Sequence, residues 1–337
     1  VEHMVQVFRE VRRVLRDDGT LWLNMGDCYA AQAGQRKTTD RAGAKQQTNT
    51  ASTDTPSRDV PGLKPKDLVG QPWRVAFALQ ADSWYLRCDI IWAKPNPMPE
   101  SCRDRPTKSH EYVFLLTKRP RYFFDQEAVR EKAQYGRREW HGDVRGRVGL
   151  KAHQAQSTVG GPEDDPSADR NIRSVWTIAT QAFPEAHFAT FPEKLVTPSI
   201  KAGTSEKGCC PACGAPWVRV VEKTGGSIGK GWHDHEGDGS KGQRCELAEA
   251  KGSVARCKDE AGRKDSRHTT DWKPSCECRA PLRTACTVLD PFGGSGTTGV
   301  VAAKLGRKAI LVELNPEYAE MARKRCNIDV QRGLFQP

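Results

Sequence analysis

An α/β fold is what the sequence predicts, and three observations predict it. Thr287-Val288-Leu289 runs as a short apolar strand into the bend Asp290-Pro291-Phe292-Gly293-Gly294-Ser295-Gly296, and Thr297-Thr298-Gly299 then opens a helix. The next apolar run, Ala309 to Val312, closes on an acid, Glu313. Upstream, apolar residues recur first at helical spacing and then in short continuous runs, the alternation expected of helices laid on a sheet. A glycine-rich bend at a helix N-terminus presents backbone N–H groups, and an acid closing the following strand can take two ribose hydroxyls. Together they describe a pocket for a nucleoside-bearing cofactor.

The elements follow in order. Val5 to Leu15 places apolar residues on one helical face and charges on the other, and Asp18-Gly19 ends the helix. Thr20 to Asp27 reads as a buried parallel strand, and Cys28 after it as core. Residues 31–62 are rich in Thr, Gln, Gly and Lys and read as a disordered loop. A helix is expected from Pro72 to Gln80, then a strand over Cys88–Trp92, with Cys88 in the core, and another over Tyr112–Leu116. Residues 126–172 are again polar and basic.

Composition narrows the function class. A hydrophobic share of 37% with a mean hydropathy of -0.69 leaves about a third of the chain too polar to pack into a core. No segment approaches the ~20 apolar residues of a membrane span and no secretory apolar region is present, which predicts a cytoplasmic protein with no membrane partner. The net charge of +11 favours a polyanionic partner through counterion release. Arg130 to Lys151 carries seven basic residues against three acidic ones, interleaved with Tyr135 and Trp140. That window reads either as a DNA-contacting segment or as a solvated linker.

Gly294, Gly296 and Gly299 also spell G-x-G-x-x-G, the dinucleotide fingerprint, with Glu313 at about the expected distance. Against a nicotinamide site, Asp290-Pro291-Phe292 intervenes between strand and glycines, and only 24 residues follow Glu313. The stretch Asp290 to Gly299 instead resembles the cofactor motif of amino-methylating DNA methyltransferases, which modify the exocyclic amine of adenine or cytosine. Phe191-Pro192-Glu193-Lys194-Leu195 resembles the helix-opening motif of the permuted β class, whose catalytic half precedes its cofactor half. Asp89 to Pro99 and Lys108 to Lys118 are similar to the last two sheet strands of that class.

The resemblance implies a Rossmann-like, S-adenosylmethionine-dependent methyltransferase sheet in permuted order. It divides the chain into a catalytic half over 1–125, a basic polar linker over 126–174, the start of the cofactor half over 175–205, a cysteine-rich insert over 206–284, and the cofactor-binding half over 285–337. Its cofactor would be S-adenosylmethionine and its partner double-stranded DNA, with the base flipped out of the duplex. By this resemblance Asp290 faces the methionine ammonium or organises the loop, and Phe292, Gly294, Ser295, Gly296 and Thr297 wrap the methionine part. Glu313 accepts from the ribose or is a surface acid, and Phe191 lines the pocket or staples its helix. Trp92, Lys94 and Asn96 border the flipped base, or form a rigid connection with Trp92 as core, while Arg105 and Lys108 could hold phosphates.

In relatives an Asp, Asn or Ser followed by Pro-Pro and an aromatic supplies catalysis, and no such tetrapeptide occurs in this sequence. The helix and strand that open the chain follow the tetrapeptide in the family, so an N-terminal truncation is expected, and with it an inactive or unstable fragment. The catalytic residues are therefore unknown. Twelve cysteines in a cytosolic chain point to metal or thiol chemistry before disulfides. Cys210-x2-Cys213 and Cys276-x-Cys278, separated by 62 residues, make a four-sulfur set suited to a structural zinc in a ribbon-like insert. Cys209, Cys245, Cys257, Cys286, His233 and His235 compete as ligands, with His233 to His235 better read as a loop and Cys286 as core. Two functions follow: a site-specific DNA methyltransferase of restriction-modification or phage type, or a catalytically inactive zinc-containing DNA-binding relative.

Overall fold

The computed structural model describes residues 1–30, 62–132, 169–181, 190–224, 266–278 and 282–330. The loop 31–61, most of the Arg130–Lys151 window, and His233, His235, Cys245 and Cys257 lie outside the described residues. The chain divides into two compact units, one of residues 1–125, 173–216 and 278–337, the other of residues 126–172 and 217–277.

The first unit begins with α1 (Glu2–Val14), β1 (Thr20–Met25), α2 (Gln71–Ala81), β2 (Tyr85–Ala93) and β3 (His110–Thr117). Phe8 and Val11, one turn apart on α1, bury against Leu23 of β1, Val75, Ala76 and Leu79 of α2, and Phe114 and Leu116 of β3. Each of the Phe, Leu and Val side chains contributes roughly 1.5–3 kcal/mol by leaving water. The first turn of α2 is fixed from outside the helix: Asp27 Oδ1 accepts the Gln71 N–H at 3.0 Å, satisfying a donor that has no partner within the helix.

With β6 (Val175–Thr177) these strands form a four-stranded sheet in the order β1-β3-β2-β6. The expectation of a buried parallel strand over Thr20–Asp27 is corrected here. β3 lies between β1 and β2 and runs antiparallel to both, with Leu23 of β1 opposite Phe114. Only Leu23 of the six β1 residues is fully buried. Nor are Cys28 and Cys88 core residues. Cys28 is exposed in the loop after β1, and Cys88 is half-buried beside a register shift in β2.

Downstream come α3 (Glu193–Gly203), β9 (Thr287–Asp290), α4 (Thr297–Lys304), β10 (Lys308–Leu311) and α5 (Pro316–Val330), where β9 and β10 are numbered after five intervening strands, β4 to β8, of which β6 is one. β9 and β10 pair in parallel, Asp290 opposite Leu311, with α4 as the crossover. Ile200 of α3 packs against Val301 and Ala302 of α4, and Glu193 pairs with Lys304 at 2.9 Å. Among the described residues no ladder joins β1 to β9.

The second unit, taken by itself, contains the two-residue pair β4 (Glu131–Lys132) and β5 (Asp169–Arg170) and an antiparallel ribbon of β7 (Trp217–Thr224) and β8 (Ser266–Pro274). The ribbon ladder runs from Trp217 opposite Pro274 to Thr224 opposite Ser266, with Arg219 stacked on Trp272 at 4.3 Å. No helix among the described residues is long and apolar enough to cross a membrane.

Candidate cofactor and metal sites

The bend between β9 and α4 is held at both ends by carboxylates. Asp290, the last residue of β9, accepts the Phe292 N–H at 3.0 Å with one oxygen and the Thr298 hydroxyl at 2.6 Å with the other. One side chain thus ties the strand end to the turn and to the first turn of the helix. Glu313, two residues beyond β10, accepts the Gly294 N–H at 2.7 Å and the Asn315 N–H at 2.8 Å. The acid that the sequence places on the ribose therefore also fixes the bend, and a carboxylate has further lone pairs free for two hydroxyls.

The glycines divide by what surrounds them. Gly296 has φ +84, and a Cβ there would meet Ala322 Cβ of α5 at 2.9 Å. Gly299 is closed in by Cys326 Sγ at 2.7 Å and Leu311 Cδ1 at 2.9 Å. At Gly294, φ +51, a Cβ would find nothing nearer than Phe292 O at 3.8 Å. Gly296 and Gly299 let helices approach, while Gly294 faces open space where a ligand can reach the backbone.

Arg325 of α5 was not read from the sequence as part of this site. Its Nη1 donates to Ser295 O at 2.7 Å, Ser295 Oγ at 2.9 Å and Thr297 Oγ1 at 3.3 Å. The signal available was a basic residue on the helix that follows the acid. Phe292 is half exposed and packs edge-on against Phe8 at 6.2 Å, so its ring belongs partly to the α1 core. Phe191 lies one residue before the N-cap of α3 and is half-buried.

The residues read as DNA contacts are already engaged. Trp92 is buried and its Nε1 donates to Ile178 O at 2.8 Å, which is the core reading of that residue. The Lys94 ammonium lies 4.4 Å from the Trp92 ring centre and pairs with Glu111. Glu111 in turn accepts from Asn24 Nδ2 at 3.2 Å. Asn96 Oδ1 accepts the Thr180 N–H at 3.0 Å, Arg105 pairs with Glu100 and stacks over Tyr29, and Lys108 lies 3.8 Å from Asp27. The acids Asp27 and Glu111 went unread because their partners are remote in sequence.

The sulfur atoms of Cys210, Cys213, Cys276 and Cys278 all lie within 4.8 Å of one another. Tetrahedral zinc with bonds of about 2.3 Å would draw four sulfurs to roughly 3.8 Å apart, so a small closure completes such a site. Gly214, at φ +71, donates its N–H to Cys210 O at 2.8 Å, which makes the Cys210–Cys213 segment a tight knuckle. Cys209 is turned away, its Sγ toward Thr284 O at 3.5 Å. Cys286 is buried as expected, and desolvation together with Cys209 pushes its thiol up to about 11.

Comparison with known proteins gives a consistent picture. The family profile described as DNA methylase matches residues 1–210 and 284–324. The type II methyltransferase M.SmaI of Serratia marcescens is 35% identical over 326 residues, covering 96% of this chain and 73% of its own length. M.Cfr9I of Citrobacter freundii is 36% identical over 330 residues, covering 96% of this chain and 70% of its own. The solved PvuII DNA methyltransferase, cytosine-N4-specific, shares 14% identity over 97% of this chain and 76% of its own, with a TM-score of 0.44, a likeness too distant to carry weight.

Proposed function

Since the chain belongs to the DNA methylase family, we propose that it transfers a methyl group from S-adenosylmethionine to the exocyclic amine of a base at a specific site in double-stranded DNA. The relatives' type II names support a place in a modification system. One observation carries the cofactor assignment: the acid beyond β10 is bonded back to the N–H of Gly294, the glycine whose missing side chain leaves room for a ligand. In the same reading the catalytic half precedes the cofactor half, which is the permuted order.

S-adenosylmethionine supplies an electrophilic methyl on a sulfonium. The residues of this chain bind and orient it. Asp290 keeps the bend in shape and sets a negative charge beside the place for the ammonium group. Gly294, Ser295, Gly296 and Thr297 offer backbone at the N-terminus of α4, where the helix presents N–H groups without helical partners. Glu313 accepts from the ribose hydroxyls, with Phe292 and Phe191 at the rim. Arg105 and Lys108 would reach DNA phosphates by exchanging their present carboxylate partners, and Lys94 and Asn96 would shape the border of the base pocket beside Trp92. No Pro-Pro-aromatic tetrapeptide occurs in the sequence, so no residue is assigned to the chemical step.

The test is calorimetric titration of the chain with S-adenosylmethionine, followed by transfer of labelled methyl to plasmid DNA. Glu313→Ala should weaken cofactor binding about tenfold or more through loss of charged hydrogen bonds. Absence of any S-adenosylmethionine binding would remove the proposal. Cofactor and DNA binding without methyl transfer would favour the inactive zinc-containing relative instead, a reading that no structural observation now favours.

The four-cysteine cluster fits a structural zinc, with Cys210, Cys213, Cys276 and Cys278 as thiolate ligands. Its expected role is to clip the two ends of the cysteine-rich insert. About one zinc per chain should be found by elemental analysis. Chelation, or Cys210→Ser, should release it and lower the unfolding temperature, because metal binding at such sites is folding free energy. Zinc-free protein with unchanged melting would contradict this.

A further inference from the structure

The β7–β8 ribbon of the second unit sorts its residues by chemistry. Successive residues of a strand stand on opposite faces, and residues paired across the ladder share a face. By the ladder register, Trp217, Arg219 and Lys223 of β7 fall on one face together with Arg267 and Trp272 of β8. Glu222 and Asp271 fall on the other, with His268 and Lys273. The register shift after Val220 keeps this order, since Arg219 Nη1 donates across it to Thr269 Oγ1 at 3.3 Å. One face therefore carries three basic residues, two tryptophans and no acid, and both acids of the ribbon lie behind it. Among the described residues no third strand joins the pair, and a two-stranded ribbon is marginal in water unless something packs on it.

On the basic face the Arg219 guanidinium lies over the Trp272 ring, 4.3 Å from its centre. Stacking engages the flat side of a guanidinium, while its N–H groups project from the edge in the fork that suits a phosphate or the paired acceptors of guanine. The tryptophan also restricts the arginine, so less freedom is lost when an acceptor arrives. Thr269, which Arg219 touches, is exposed, and a neutral hydroxyl is a weaker acceptor than a charged oxygen.

The matching surface is polyanionic and as wide as two strands. The major groove of B-DNA, about 12 Å across, admits a two-stranded ribbon between walls of phosphate. We infer that the β7–β8 ribbon enters the major groove of double-stranded DNA with its basic, tryptophan-bearing face inward, and that Arg219 braced on Trp272 makes a direct contact there. This rests on duplex DNA being the substrate, as proposed above, and adds the surface that meets it.

The experiment is fluorescence anisotropy of the full chain with a labelled short DNA duplex of mixed sequence over a range of salt, beside the single strand and the RNA duplex of the same sequence. Arg219→Met should weaken duplex binding about tenfold or more and reduce the salt slope by about one phosphate contact. Lys273→Met removes the same charge from the opposite face and should leave duplex affinity nearly unchanged. S-adenosylmethionine affinity, read by calorimetry, should be the same in both variants. Should Arg219→Met fail to fold, Thr269→Glu sets a negative charge on the same face at an exposed position, and the same loss is expected. Equal losses in Arg219→Met and Lys273→Met, or no loss in either Arg219→Met or Thr269→Glu, would overturn the inference. So would equally tight binding of the single strand, or of the RNA duplex, whose major groove is too deep and narrow for the ribbon. If the wild-type protein methylates DNA while the Arg219 and Thr269 variants bind duplex normally, the ribbon inference alone is lost. If it binds duplex through Arg219 without methylating it, the methyltransferase reading is the one that fails.

Discussion

Replacing Asp290 by alanine should cut affinity for S-adenosylmethionine by about 100-fold or more. The carboxylate accepts from Phe292 N–H at 3.0 Å and from the Thr298 hydroxyl at 2.6 Å, so its removal leaves two donors without their acceptor at the mouth of the bend. Hydrogen bonds to a charged group are worth roughly 1.5–3 kcal/mol each, and about 2.7 kcal/mol corresponds to 100-fold in binding. Much of the loss would come from a bend no longer held in shape, and the rest from a missing charge beside the cofactor ammonium. Asp290→Asn separates these contributions: its amide oxygen keeps one acceptor while the charge is gone, so its affinity should fall between wild type and alanine. Calorimetry of the three proteins is the measurement, and equal affinities would show that Asp290 has no part in the site.

The second large effect separates two glycines that stand two residues apart. Gly296→Val should lower the unfolding temperature by roughly 5–10 °C, whereas Gly294→Ala should lower it by only a few degrees while weakening cofactor binding. At Gly296 a side chain must adopt φ +84 and displace Ala322, whose Cβ stands 2.9 Å from the new atom. Left-handed backbone costs about 1–2 kcal/mol for an L residue, and overpacking adds about 1–3 kcal/mol. At Gly294 the added methyl meets nothing closer than 3.8 Å, so stability loses only the backbone cost at φ +51. The methyl instead fills the space a ligand would use. Thermal melting and calorimetry of the two variants check both halves of this expectation. If Gly294→Ala bound cofactor normally, the open face of that glycine would not be the binding face.

The bend was legible from sequence because everything that shapes it is local. Asp290, the glycines and Glu313 fall within 24 residues, and a strand, a turn and a helix start each have their own residue chemistry. The helices and strands upstream were legible for the same reason, their apolar spacing being set by their own period. Pairing was not. β1 meets β3 across about ninety residues, and nothing in Thr20 to Met25 states that the neighbour runs in the opposite direction. Lys94 and Lys108 looked like free cations because Glu111 and Asp27 reach them only after the chain has folded. The cysteine spacing identified the four sulfurs that do converge, since two short C-x-C-like steps form rigid knuckles, yet the exposure of Cys28 depended on a loop whose course no periodicity records.

The hold of α5 on the bend bears on how the protein should be handled. Arg325 grips Ser295 and Thr297, and Ala322 rests against Gly296, although neither residue needs to touch a bound cofactor. An affinity tag or fusion partner joined directly behind that helix would tug on the very groups that shape the cofactor loop. Purification handles are better placed elsewhere, or behind a flexible spacer, and a weakly binding preparation should first be checked for strain at that end.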